Sequence, residues 1–244
     1  MKLYLDSNSF IDTADFTDLS IAVSDQGVRA WYLNPPQLTP VMENGFVGSV
    51  KQGGAVNFRN IFFNPHGHGT HTESHGHISE EIFSVSACYK QYIYRAQLIS
   101  IEPELRGEDR VITSEQLQHF SFTTEALVIR TLPNSESKKQ KDYSNSNPPY
   151  MDLACVDIIN AMGVKHLLLD LPSVDKEIDG GVLAFHHAFW NVPNHPDSSR
   201  TITELIYVPN ELSDGAYLLE LQVSNFENDA APSRPILYPI KKEA

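Results

Sequence analysis

Residues 64–77 read Asn64-Pro65-His66-Gly67-His68-Gly69-Thr70-His71-Thr72-Glu73-Ser74-His75-Gly76-His77, and no other stretch constrains the chain as tightly. Five of the ten histidines fall here, with one carboxylate among them. An extended backbone alternates its side chains, so the period of two predicts that His71, Glu73, His75 and His77 point to one side. Imidazole and carboxylate on one face form a donor set for a divalent cation, and glycine at 67, 69 and 76 allows close backbone approach. The internal position and the interrupting Gly, Thr and Glu separate this stretch from an affinity tag.

Two known metal motifs compete for these residues. The helical H-E-x-x-H pattern is absent, because Glu73 lies two residues after His71 and Gly76 disfavours a helix. His66-x-His68 followed by Glu73 imitates the metal motif of cupin barrels. Asn60 and Glu80 stand where that motif has glycine, however, and no second motif follows downstream.

Outward from the cluster the texture is that of short strands. Residues 56–63, VNFRNIFF, alternate and are rich in aromatics, which predicts a half-buried strand leading into the histidines. Further strands are expected within 88–101, at 126–132 and 166–172, and at 215–223. SEQLQHF after Thr113 reads as a short capped helix, and Met151, Ala154, Cys155, Ile158 and Ile159 share a helical face that Gly163 ends. Another helix surrounds VLAFHHAFW, and RTITELIYVP starts a strand or a helix. Residues 134–150 carry no core-forming side chains except tyrosines, which suggests an exposed loop or active-site flap rather than a linker. With strands outnumbering helices, the expected class is an α+β sandwich in one domain over residues 1–244.

Composition narrows the function classes. Hydrophobic residues are 41% and charged residues 20%, an ordinary globular balance. No apolar run approaches the roughly 20 residues of a membrane helix, and the first residues carry acids where a signal peptide is apolar, so no membrane partner and a cytoplasmic setting are expected. The formal charge of -13 repels a phosphate backbone, which argues against nucleic acid. Cys88 and Cys155 are expected to be buried thiols.

The residues also carry a resemblance. His66-x-x-Gly69-Thr70-His71-x-Glu73-x-x-x-His77 resembles the H-x-G-T-H-x-D-x-P-x-H signature of the cyclase-like metal-dependent hydrolases, which include arylformamidases and isatin hydrolases. Asp18-Leu19-Ser20 resembles that family's first strand, and Asp170-Leu171-Pro172-Ser173-Val174-Asp175 its D-x-x-S-x-D segment. Residues 184–189, AFHHAF, resemble the stretch that supplies another histidine, and Glu204 stands where a late carboxylate is expected. These segments span most of residues 15–240 in order.

The resemblance implies a layered β/β/α sandwich of the swivelling type. It implies a metal set of His66, His71, Glu73, His186 and Glu204 for one or two ions, Zn or Mn, with His77 and Asp170 as catalytic residues. Three departures matter. The first gap is one residue longer than usual, so His68 competes with His66 as ligand. Glu73 replaces Asp, and His75 replaces Pro. From the residues alone, Asp170 is equally a turn cap, Glu204 equally a capping-box partner of Thr201, and either His186 or His187 packs in the core.

The implied reaction is hydrolysis of an amide C–N bond by metal-activated water. The substrate is a small molecule, an aryl formamide such as N-formylkynurenine or a lactam such as isatin, and the enzyme a homodimer or homotetramer. Trp31, Phe62, Phe63 and Trp190 are candidates for an aryl pocket, each with a competing role in the core. Two other classes remain open at this point. One is a cupin-like metal oxygenase; the other is a non-catalytic metal-binding protein whose ligands close the coordination sphere.

Overall fold

Two short runs, Ala126–Thr131 and His166–Leu169, become the middle of the main sheet in the computed structural model, which describes residues 1–243. Every residue of both is buried, as strands covered on two faces must be. In chain order the sheet contains β1 (Thr17–Asp18), β2 (His71–Glu73), β3 (Ile93–Ile101), β4 (Ala126–Thr131), β5 (His166–Leu169), β6 (Thr201–Glu204), β7 (Gly215–Val223) and β8 (Ala230–Pro239). Their spatial order is β7-β3-β4-β5-β6-β2-β8-β1. Because β7 also pairs with β8, seven strands close into a ring, with β1 attached to β8.

Strands β3 to β6 run parallel to one another, and the other pairings are antiparallel. Parallel neighbours need crossovers, and each of the three carries one helix: α1 (Ser114–Gln118), α2 (Cys155–Ala161) and α3 (Ala184–Trp190). Alternation along β4 and β5 divides the core. Leu127, Ile129, Leu167 and Leu169 pack with Leu117, Ile159, Phe185 and Phe189 of the helices. Ala126, Val128 and Leu168 join Leu98, Leu219 and Leu237 in the ring. The mixture of many strands and few helices in a single domain agrees with the sequence reading. Ring closure has no local signature, since it rests on pairings between distant segments.

Several elements differ from expectation for identifiable reasons. The strand before the histidines, Arg59–Phe62, is exposed throughout, because it pairs only with Gln37–Pro40 in a two-stranded arm outside the ring. Helix α2 starts at Cys155, while Met151 belongs to a short strand beside Val111 and Ile112. The capping box of Thr113 and Gln116 does open α1, and Gly163 follows α2 with φ +78°.

Residues 134–150 are less open than their composition suggests. A 3-10 turn, Glu136–Gln140, places the Lys138 ammonium beneath the surface. There its three N–H groups are shared among four oxygens, Thr131 O at 2.7 Å, Asp170 Oδ2 at 2.8 Å, Thr131 Oγ1 at 2.9 Å and Asn134 Oδ1 at 3.2 Å. Asn134 and Tyr143 are buried as well. No helix among the described residues is long and apolar enough to cross a membrane.

Candidate metal centre

Strand β2 is three residues long, yet it sets the site. It lies between β6 and β8, with His71 opposite Glu204 and Glu73 opposite Ile202 and Ala230. Alternate residues share a face, so His71 and Glu73 project together and Glu204 joins them from the neighbouring strand. Ahead of β2, Asn64 caps the 3-10 turn Pro65–Gly67 and turns His66 toward Glu73.

The extended period stops at Glu73. Ser74 caps a second 3-10 turn, His75–Ile78, by accepting from the Gly76 N–H. A Cβ at Gly76 would lie 2.4 Å from the Phe83 backbone nitrogen, so only glycine fits this turn. In consequence His75 does not share a face with His71 and Glu73: it stacks on Phe83 and bonds Ser79. His77 returns, with Nε2 3.9 Å from Glu73 Oε2 and its ring stacked on His66.

Helix α3 supplies the partner from the far side. The Asp175 carboxylate accepts the Phe185 and His186 backbone N–H groups and holds His186 Nδ1 at 2.6 Å. This fixes the ring so that Nε2 lies 3.1 Å from Glu73 Oε1. His187 is directed elsewhere, with Nδ1 3.3 Å from Val192 O. His68, the other candidate for the first position, is turned away from the cluster. His68 Nδ1 accepts the Asn64 N–H and Nε2 donates to Asn34 O, so neither nitrogen is free.

The donor set fits a cation. His71 donates Nδ1–H to Gly69 O at 3.2 Å, which leaves Nε2 as a bare lone pair 3.5 Å from Glu204 Oε2. His71 Nε2, Glu73 Oε2 and Glu204 Oε1 are buried and have no hydrogen-bond partner among the described residues. His66 Nδ1 is 3.0 Å from Glu73 Oε2, but without the alignment of a hydrogen bond. Orphaned buried acceptors are costly, and a shared cation satisfies them. Donor atoms of His66, His71 and Glu73 lie within 4.8 Å of one another, as do those of Glu73, His77 and His186. Donors on one tetrahedral ion at about 2.1 Å would lie about 3.4 Å apart, so small side-chain rotations suffice.

Electrostatics give the same result. Burial pulls the His66 imidazole down, but Asp229 and Glu73 outweigh it and carry it up to about 10. His186 likewise rises to about 10 against burial, through Asp175 and Glu73. Burial holds His71 down at about 3. Glu73 resists its burial and sits well below the usual carboxylate range because of His77, His186 and His66, whereas burial and the Glu73 charge push Glu204 well above it. The carboxylates crowded here favour positive charge at His66 and His186. A bound dication supplies that charge in place of protons.

Asp170 stands apart from the cluster. Its carboxylate accepts from Thr131 N–H and Oγ1 and from Lys138, and burial raises it despite that ion pair. The last carboxylate of the same segment, Asp175, is the one that reaches the site. Asp229, with no motif around it, was not legible in the sequence; its Oδ2 lies 2.7 Å from His66 Nε2 and 3.5 Å from His77 Nδ1.

A cavity of about 330 Å³ adjoins the cluster; His66, His77, His186 and Glu204 line it together with Trp31, Leu33 and Leu183 and with the charged Lys176, Glu177 and Asp179. Trp31 and Leu183 hold positive φ angles of 62° and 45°, a strained backbone of the kind found around ligand sites. Of the other aromatic candidates, Trp190 is core, Phe62 is exposed and Phe63 packs near Phe226.

Residues 17–176 match the family model described as "Putative cyclase". The chain belongs to the cyclase family. Among its relatives is a kynurenine formamidase of Bacillus cytotoxicus, 27% identical over 193 residues, which span 78% of this chain and 84% of that protein. A kynurenine formamidase of Bacillus cereus is 25% identical, over 79% and 85% of the two chains. The cyclase-family fold is shared with isatin hydrolase A from Labrenzia aggregata, with TM-score 0.66, 12% identity, and 91% and 93% of the two chains covered. A protein from Bacillus stearothermophilus described as a "predicted metal-dependent hydrolase" aligns with TM-score 0.62 at 14% identity, over 91% and 97%. The parallel strands β3 to β6 of this fold are foreign to the antiparallel cupin barrel, which removes the cupin reading.

Proposed function

We propose that the chain is a divalent-metal-dependent hydrolase cleaving an amide C–N bond of a small molecule, an aryl formamide such as N-formylkynurenine or a lactam such as isatin. The observation that carries this reading is the set of orphaned buried atoms His71 Nε2, Glu73 Oε2 and Glu204 Oε1, next to a cavity that His66, His77, His186 and Glu204 line. The names of the cyclase-family relatives support the substrate class, and the first would place the enzyme in tryptophan catabolism.

In this reading His66, His71 and Glu73 hold one ion, Zn or Mn, and Glu73, His186 and Glu204 hold a second when two bind. A bound ion supplies water with a pKa near 7 and an electrophile for the carbonyl oxygen. Glu73 would be able to serve both positions, since its oxygens face different imidazoles, Oε2 toward His66 and Oε1 toward His186. His77 is the most exposed imidazole of the set and lines the cavity, where it takes a proton from water and returns it to the leaving nitrogen. Trp31, Leu33 and Leu183 exclude water from the scissile group.

We assign Asp170 a structural role in place of a catalytic one. His68 and His75 are engaged elsewhere, so they leave the coordination sphere open, which favours a catalyst over a metal store. The ring with helices over one side corresponds, in this reading, to a swivelling-type β/β/α sandwich. Residues 134–150 border the cavity as a flap, since Asn145 and Asn147 donate to Glu177 on its rim. Phe58, Ile61 and Phe62 on the exposed arm, 59%, 58% and 75% accessible, are consistent with a homodimer or homotetramer. Buried, unpaired Cys88 and Cys155 suit a cytoplasmic setting.

The test is elemental analysis of the purified protein together with a hydrolysis panel of N-formylkynurenine, isatin and related amides. One or two ions per chain with turnover is the expected result. Metal-loaded protein that cleaves nothing in the panel overturns the reading.

A further inference from the structure

Asp229 lies beyond the segment matched to the cyclase family and belongs to no motif, yet it touches both imidazoles on the open side of the site. Its backbone is fixed. The Ser74 N–H donates to Asp229 O at 2.9 Å, and the next residue, Ala230, is in register with Glu73. The Asn228 side chain braces the turn by donating to Ala230 O at 2.9 Å.

From this fixed point one oxygen, Oδ2, faces His66 Nε2 at 2.7 Å and His77 Nδ1 at 3.5 Å. A ring nitrogen that donates to a carboxylate keeps its proton, which leaves the opposite nitrogen as the lone pair. For His66 that lone pair is on Nδ1, the atom 3.0 Å from Glu73 Oε2 and facing the proposed ion. His77 Nδ1 faces the same oxygen at the longer distance of 3.5 Å, and a proton held there would leave its lone pair on Nε2.

We infer that Asp229 is a shared positioning residue: one carboxylate fixes the tautomer and ring orientation of a metal ligand, His66, and of the proton-transfer residue, His77. The inference rests on the proposed hydrolase function and deepens it. It couples two properties that the sequence places far apart, since losing one carboxylate loosens the ion and misaligns the base together. Substrate, which meets the cavity wall and not Asp229, binds as before.

The experiment compares wild type with Asp229→Asn, which keeps the shape and removes the charge, and with Asp229→Ala. Zn²⁺ affinity is measured by competition with a chromophoric chelator, and kcat and KM for N-formylkynurenine or isatin at saturating Zn²⁺. Both variants are expected to bind Zn²⁺ about 10- to 100-fold more weakly, and at saturating metal to lose at least about tenfold in kcat with KM within about twofold. D229N remains decisive if D229A does not fold. Wild-type affinity, wild-type kcat, or a loss confined to KM overturns the shared role. If the wild type binds Zn²⁺ but cleaves neither substrate, the hydrolase reading fails on its own, and the affinity difference still decides for or against Asp229.

Discussion

His68 lies two residues from one proposed ligand and three from another, but both its nitrogens are committed to the backbone. His68→Gln should therefore leave metal stoichiometry unchanged and cost about 1–2 kcal/mol of stability from the lost hydrogen bonds. His71→Gln should abolish binding at the position shared with His66 and Glu73 and so lower the metal content, because no second bare nitrogen replaces Nε2. Elemental analysis and urea titration of the two variants separate these outcomes. The contrast also marks how far the sequence could be read. His66, His71, Glu73 and His77 were legible because twelve consecutive residues contain them and the resemblance orders them. His75 was misplaced because a Ser74-capped turn replaces the strand after Glu73, and a period of two has no means of announcing where it stops. Asp229 was invisible: its relation to His66 exists only once β8 lies beside β2.

At the level of the element, β5 opens on a histidine that the site does not use. His166 packs against Tyr89 and Tyr94, bonds Thr201 Oγ1 at 2.8 Å, and is held down to about 4 by burial and, secondarily, by Lys165. Above pH 6.5 it is neutral whether folded or unfolded. Below that the unfolded chain takes the proton first, so β5 loses stability progressively as pH falls toward 4, by about 2 kcal/mol at pH 5. Denaturant titrations at pH 7 and pH 5 should differ by roughly that amount more in wild type than in His166→Gln; equal differences would refute it. Strands β4 and β5 were readable as apolar runs because both their faces are covered. The strand at Arg59–Phe62 has the same aromatic texture and is exposed, since what covers a strand is decided by its partners and not by its own residues.

On the scale of the whole molecule, β2, β6 and α3 meet at one point, so metal binding and global stability are linked. A ligand at 100 times its Kd adds about 2.7 kcal/mol. Chelation should accordingly lower the melting temperature by several degrees, reversibly on adding back Zn²⁺ or Mn²⁺, and calorimetry measures it. An unchanged melting temperature would show that the ion is not integral to the junction of these elements. That the sheet closes, and that residues 134–150 fold back onto it, depends on contacts between distant segments. Composition marked those residues as a loop because their one inward charge, Lys138, is of a type that normally faces water. That placement bears on how the protein is digested. Trypsin recognises lysine by drawing it into an acidic pocket of its own, and Lys138 already occupies one, beside Asp170. The native chain should resist cutting after this residue despite its polar surroundings, and Asp170→Asn should make that bond among the first to be cleaved.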